Sequence, residues 1–338
     1  MARSYSGREW GCLIGVTDLS ASNLGSAFNA SNADGDIAEF RVDNPVADIA
    51  WDAGYQRAEI ERAGMRGFEA GDIINHYGSG TWTWDFSYVA ENERALQILL
   101  QLIYAPGYSG GVLNIPANPT VEDLVHGASP SPDTNSAGFV ILQNPHTDKD
   151  RVLHNAILQN LTISMDAGTN GGRPTVTGQF MSGYKPTIAA NTTAAASTGL
   201  TNTWAKGLFD CSTTSFGGAS ATVKSFSMTI ENPASRVGFQ GTDGETDGYN
   251  RASALKVTGS CSLKADTVVQ AYLESKWQSN ALFPIDIGDS SSLDVQVTGA
   301  NISAFTLDMA DEGIFADVSW TATSGVDGAN ALAVVTLT

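Results

Sequence analysis

Gly107-Tyr108-Ser109-Gly110-Gly111 has the G-x-S-x-G spacing that lifts a nucleophilic serine onto a sharp turn, and Asp123, Asp148, His146 and His154 follow it. The chemistry to weigh first is therefore ester hydrolysis. That turn requires a strand to enter and a helix to leave, so that the serine stands exposed at a helix N-terminus. Here an apolar helical stretch enters, Pro106 ends it, and Val112 to Pro119, with two prolines of its own, cannot leave as a helix. A flexible glycine-rich loop accounts for the match, and no catalytic residue is expected.

Other groupings fall short in similar ways. Asp243-Gly244-Glu245-Thr246-Asp247-Gly248 resembles the first half of a calcium loop, but its twelfth position is Ala254, where a bidentate glutamate is needed. An exposed acidic turn is the expectation. His76, His126, His146 and His154 lack the spacing of a zinc-binding pair, so no metal site is expected. Trp82 and Trp84 share one face of an alternating strand, which suits a stacking platform but more commonly packs a core. No glycine-rich phosphate loop followed by Lys and Ser or Thr occurs, and no cofactor is expected. Four Asn-x-Ser/Thr triplets, beginning with Asn29-Ala30-Ser31, follow from a chain rich in these residues.

The composition narrows the function further. The 338 residues are only 16% charged, with Gly, Ser, Thr, Ala and Asn in place of the missing charge. Eighteen Lys and Arg face 36 Asp and Glu, and the net charge of -18 repels a phosphate backbone. No apolar run approaches the roughly 18–20 residues of a membrane span. The longest, Leu96 to Tyr104, is broken by Gln97 and Gln101, and neither a membrane location nor an export signal is expected. Cys12, Cys211 and Cys261 are odd in number and far apart, as in a protein made in a reducing cytoplasm.

Two halves of the chain carry the same succession of elements. Phe40 to Pro45 (FRVDNP) matches Met228 to Pro233 (MTIENP), a short strand closed by acid-Asn-Pro. Thr81 to Ala90 (TWTWDFSYVA) matches Leu255 to Ala265 (LKVTGSCSLKA), alternating strands that each lead into a helix. In the helix 91–104, Leu96, Leu99, Leu100 and Ile103 share a face; in 266–278, Val269, Tyr272, Leu273 and Lys276 do so less cleanly. Leu161 to Asp166 matches Ser303 to Asp308, and each opens a hairpin whose return strand is Pro174 to Phe180 or Phe315 to Trp320. The pattern predicts domains at 1–186 and 204–338 with a linker at 187–203. It also sets apart a long arm, 105–151, rich in Gly, Pro, Asn and Ser.

The second half, with VKSFSMTIENPASRVG, SALKVTGSCSLKADTVVQAYLESKW and ISAFTLDMADEGIFADVSWTATS, resembles the tail tube proteins of long-tailed bacteriophages. The closest stretch of the first half is the hairpin LTISMDAGTNGGRPTVTGQFMSG, so the whole is similar to a version with two tube-type domains. The resemblance implies a mainly β fold with minor α, two tandem β-sandwich or barrel domains each flanked by one helix. It further implies a structural virion protein, made in the host cytoplasm, that stacks as rings into the tail tube through which DNA passes without specific binding. Expected partners are copies of itself and other tail proteins at the tube ends. Two domains per chain lead to homotrimeric rings with pseudo-six-fold symmetry, against the alternative of a homohexamer. On this reading the arm packs on a neighbouring subunit through Val112, Leu113, Ile115, Val140, Ile141 and Leu142, and the hairpins bring Asp166 and Asp308 to equivalent places on the channel side. The alternatives are a two-domain adhesin or carbohydrate-binding surface protein and, behind it, an esterase using Ser109.

Overall fold

The computed structural model describes residues 10–16, 37–39, 42, 48–50, 55–59, 67, 73–77, 81–90, 93–116, 137–144, 149–190, 207–237, 246, 248–289, 293–310, 313–323 and 331–337. The chain opens with β1 (Gly11–Val16), β2 (Ile37–Glu39), β3 (Tyr55–Glu59), β4 (Ile73–Tyr77), β5 (Trp82–Val89) and α1 (Glu93–Ile103). It continues through β6 (Tyr108–Ser109), β7 (Val112–Ile115), β8 (Ala137–Gln143), β9 (Lys149–Asp166), β10 (Thr175–Ser182) and β11 (Thr187–Ala190). Then follow β12 (Thr213–Phe216), β13 (Ala219–Ser220), β14 (Val223–Glu231), β15 (Ala234–Val237), β16 (Gly248–Arg251), β17 (Lys256–Lys264) and α2 (Thr267–Ser279). The last are β18 (Phe283–Gly288), β19 (Leu293–Ala310), β20 (Gly313–Ala322) and β21 (Ala333–Leu337). The fold is mainly β with minor α, as the sequence implied.

One pairing pattern occurs twice. In the first set β10 lies between β5 and β9, β8 joins the N-terminal part of β9, β1 joins β8, and β11 takes the opposite edge of β9. In the second, β20 lies between β17 and β19, β18 joins the N-terminal part of β19, β12 joins β18, and β21 takes the opposite edge of β19. The irregularities coincide as well. The β9–β10 ladder skips Gln159 and the β19–β20 ladder skips Ser303, each beside a large aromatic, Phe180 or Trp320. The β8–β9 and β18–β19 ladders slip between Gly138 and Val140 and between Phe283 and Ile285. A bulge inserts an unpaired residue and bends its strand, so bulges at matching stations give β9 and β19 their bends at the same point.

The two sets are joined edge to edge. β14 pairs with β9 on one side and β17 on the other, giving seven contiguous strands in the order β5-β10-β9-β14-β17-β20-β19. β7, from the first set, pairs with β21 of the second. Beneath these sheets lies a large apolar core, including Trp84, Phe86, Phe180, Phe226 and Trp320, and a smaller cluster holds Ala137, Ile157, Met181, Tyr184 and Tyr249.

Burial distinguishes the helices. Ala95, Leu96, Ile98, Leu99, Leu100, Leu102 and Ile103 of α1 are all buried, a broader surface than one stripe, while Gln97 and Gln101, one turn apart, are half-buried. It packs against β9, β1 and β2. α2 buries Val269 and Leu273 against the core and leaves much of its surface exposed. Its N-terminus is capped by Asp266, whose Oδ1 accepts the Val269 N–H at 2.8 Å, one of the donors a helix start leaves unpaired.

Three expectations need correction. Val140, Ile141 and Leu142 lie in β8, between β1 and β9, and Leu113 and Ile115 are fully buried where β7 meets β21. Val112 is half-buried in the same strand. All but Val112 are thus covered within the chain itself, and the arm's stretch 117–136 lies outside the described residues. The expected linker begins with a strand, since Thr187–Ala190 pairs with Val152 to Lys149. The hairpin match is shifted by two: with the bulges at Gln159 and Ser303 superposed, Leu161 answers to Phe305 and Ser164 to Asp308. Asp166 and Asp308 are therefore not equivalent.

Candidate functional site

The seven-strand sheet has one apolar face and one hydroxyl face. Directly opposed residues in an antiparallel ladder share a face, so period-2 alternation along each strand becomes rows across the sheet. One row runs Ser87, Thr177, Thr162, Thr229, Thr258, Thr321. The next runs Thr175, Ser164, Ser227, Ser260, Ser319. A third holds Asp85, Gln179, Asn160, Glu231 and Lys256, and a fourth Asp166, Ser225, Ser262, Asp317 and Thr306. At the joint between the sets the Thr162 and Thr229 hydroxyls hydrogen-bond at 2.8 Å, and Gln179 donates to Asp85 at 2.7 Å. The Thr162–Thr229 bond ties the first hydroxyl row across the joint, and the Ser164 hydroxyl donates to the Thr175 carbonyl in the second, on a surface of short, neutral polar groups.

Charge on this face is sparse and mainly acidic. Asp85, Asp166, Glu231, Asp317 and, opposite Phe315, Asp308 outnumber Lys256, Lys264 and Lys224, the last with its ammonium 4.6 Å over the Phe315 ring. Asp166 is exposed and accepts the Gly168 N–H at 2.7 Å, which shapes the turn after β9; Asp308 is exposed opposite Phe315. Both belong to the polar side of the hairpins, but at different stations.

The phage tail tube protein family matches residues 53–337. The chain belongs to that family. As a tail tube family protein it has a structural role in the virion tail, and the sheet that spans both sets of strands lies within the matched region. No curated protein matches the chain.

The remaining sequence candidates take structural places in this family member. Ser109 ends β6, and Gly110 and Gly111, at φ +57 and +87, carry the chain straight into β7. Two residues of positive φ make the type I′ turn of a hairpin, so a strand leaves where a hydrolase turn would have a helix. Trp82 and Trp84 are buried, Trp84 lying 5.8 Å from Phe86 and 6.1 Å from Phe180 between ring centroids, on the apolar side of the sheet. Of the calcium-like loop, Asp243, Glu245 and Asp247 lie outside the described residues. Thr246 is buried, and its hydroxyl donates to the Val237 carbonyl at 2.9 Å and accepts the Val237 N–H at 3.1 Å. His76 falls in β4 and His154 in β9, whereas His126 and His146 lie outside the described residues. Among the described residues no group of His, Cys, Asp and Glu has the geometry to hold a metal. Burial, then Asp210, Asp289 and Asp294, push the Cys211 thiol up to about 11, so it is not a thiolate at neutral pH.

The hydroxyl rows went unremarked in the sequence, although their signal was there. TVTGQF, SFSMTIE and VTGSCSL place Ser, Thr or Gln at every second position. What the sequence lacks is the register that aligns six separate strands into rows.

Proposed function

We propose that this chain is a tandem duplication of a tube-type domain, three copies of which close into a ring, and that stacked rings form a conduit lined by the hydroxyl face. The observation that carries this reading is the twofold occurrence of one pairing pattern, bulges included, joined edge to edge through β9 and β14. A chain that already sets two like units side by side in one sheet needs three copies to supply six, and closure leaves no edge strand open.

The hydroxyl face suits a passage for DNA. Duplex DNA carries one negative charge per about 1.7 Å, and each Lys or Arg that meets a phosphate adds a salt-dependent attraction that would hold the strand in place. Rows of Ser and Thr with scattered acids provide wetting without that grip. Electron microscopy of the assembled tube tests the proposal. The expected result is three-fold symmetry, with each chain filling two of six similar positions and the Thr162–Thr229 row toward the lumen. A ring of six whole chains would refute the duplication reading.

A further inference from the structure

Two aspartates of the second set meet across one ladder. Asp286 of β18 pairs with Gln296 of β19, and Gly288 pairs with Asp294. Paired residues share a face, and so do residues two apart on one strand, so the two half-buried carboxyls lie diagonally on the same side of the sheet. Gly288 lets them approach. A Cβ at that position would meet Asp294 Oδ1 at 2.6 Å, so the Asp294 carboxyl leans over β18 into the space a side chain would fill, within hydrogen-bonding reach of Asp286. Asp286 Oδ1 is buried and has no hydrogen-bond partner among the described residues. The ladder neighbours on this face supply no cation: they are Thr213 and Ser215 of β12, Thr336 and Val334 of β21, and beyond them Val112 and Asn114 of β7. The other ionisable groups nearby are Asp210, Asp289 and the Cys211 thiol that they and Asp294 act on, which stays protonated at neutral pH.

We infer that Asp286 and Asp294 share one proton in mildly acidic solution, and that its release makes the pair a pH-sensitive catch on the strands that hold β21. The buried Asp286 oxygen needs a donor, which a second carboxylate cannot be; a proton on Asp294 makes that carboxyl the donor and Asp286 the acceptor. Burial and the Asp286 charge both favour the proton on Asp294, against the Gln296 amide. A group held above its ordinary pKa in the folded state gives stability that is present below the unfolded value and lost as pH rises through the folded one. Once the proton has left, two carboxylates repel across the β18–β19 ladder. At this station the other edge of β19 pairs with β21 through Thr336, which in turn meets Val112 of β7. The catch therefore adjoins the β7–β21 clasp that ties the two sets together. The first set has no such pair. With the bulges superposed, Asp150 answers to Asp294 and accepts the Asn144 N–H at 3.1 Å, but Ile141 stands where Asp286 does.

Hydrogen exchange on the full chain, corrected for the intrinsic pH dependence of amide exchange, tests the catch. Protection of β18 and β21 should fall roughly tenfold between about pH 5 and about pH 8, one unit of pKa being a factor of ten, while β5 and β10 keep theirs. Asp286→Asn and Asp294→Asn should each flatten that dependence. The double replacement should add nothing to either, because removing one charge already removes the repulsion. Protection that falls equally in wild type and both variants, or single effects that add, would overturn the pair. Carbon-13 spectra of the aspartate-labelled wild-type chain give a readout that needs no variant to fold. The two carboxyls should titrate in two common macroscopic steps, each visible at both residues. Independent single steps at the ordinary aspartate value would refute the shared proton.

Discussion

Asp294 sits in an environment that opposes its charge. Burial comes first, then the neighbouring Asp286 carboxylate, and together they hold the Asp294 pKa above its ordinary value, against a Gln296 amide that donates to it at 2.8 Å. A raised folded pKa means that the folded state keeps its proton while the unfolded chain has released it. The contribution of Asp294 to stability is therefore intact below the ordinary carboxylate pKa and declines as pH rises toward the folded value. Asp294→Asn should raise the melting temperature by a few degrees at pH 7, and the gain should vanish near pH 3; calorimetry at both values checks it. The aromatic side chains tell the opposite story, of a neighbour fitted to its space. A Cβ added to Gly259 would meet the Trp320 ring at 2.2 Å, so the absence of a side chain on β17 is what lets the indole lie across it.

At the scale of elements, the two helices show how a position is used once the sheets are joined. α1 buries most of its apolar side chains, and its last turn meets the second set: Asn232, just after β14, donates from Nδ2 to the Ile103 carbonyl at 2.9 Å. The last carbonyls of a helix lack intrahelical partners, so this amide acts as a cap across the joint. Asn232→Ala should cost about 1 kcal/mol in denaturant titration. Asn232→Asp should cost more, because a negative charge at a helix C-terminus opposes the macrodipole. In α2 the same turns carry Glu274, Ser275 and Gln278, and Ser275 and Gln278 are exposed.

For the whole molecule, the β9–β14 and β7–β21 pairings make the two sets of strands one cooperative body despite the small-residue tract between them. An engineered protease site between positions 191 and 202 should therefore yield two fragments that co-elute on gel filtration and melt in one transition. Fragments that separate without denaturant would show that the joint is weaker than its buried row implies. The same continuity makes the chain a preassembled third of the proposed ring.

The sequence by itself determined the local choices. Period-2 alternation placed β5, β10, β17 and β20, apolar periodicity placed α1, the misplaced helix behind Ser109 ruled out a hydrolase turn, and the excess of acid set the sign of the surface. It also led to the expectation that the same elements follow one another twice, of which the Phe40–Pro45 match lies, Val42 apart, outside the described residues. Register was beyond it: a strand written as alternating Ser and apolar residues fits several partners equally well, which is why the hairpin match fell two residues from the one the bulges impose. The fate of the arm was hidden for a related reason. Val112–Ile115 and Ala137–Gln143 are apolar strands that need partners, but only the tertiary structure decided that the partners are β21, β1 and β9 of the same chain, because backbone pairing carries no side-chain label and long-range contacts leave no local trace. The hydroxyl face is the sum of these decisions, six strands' worth of ordinary alternation brought into rows by their common register.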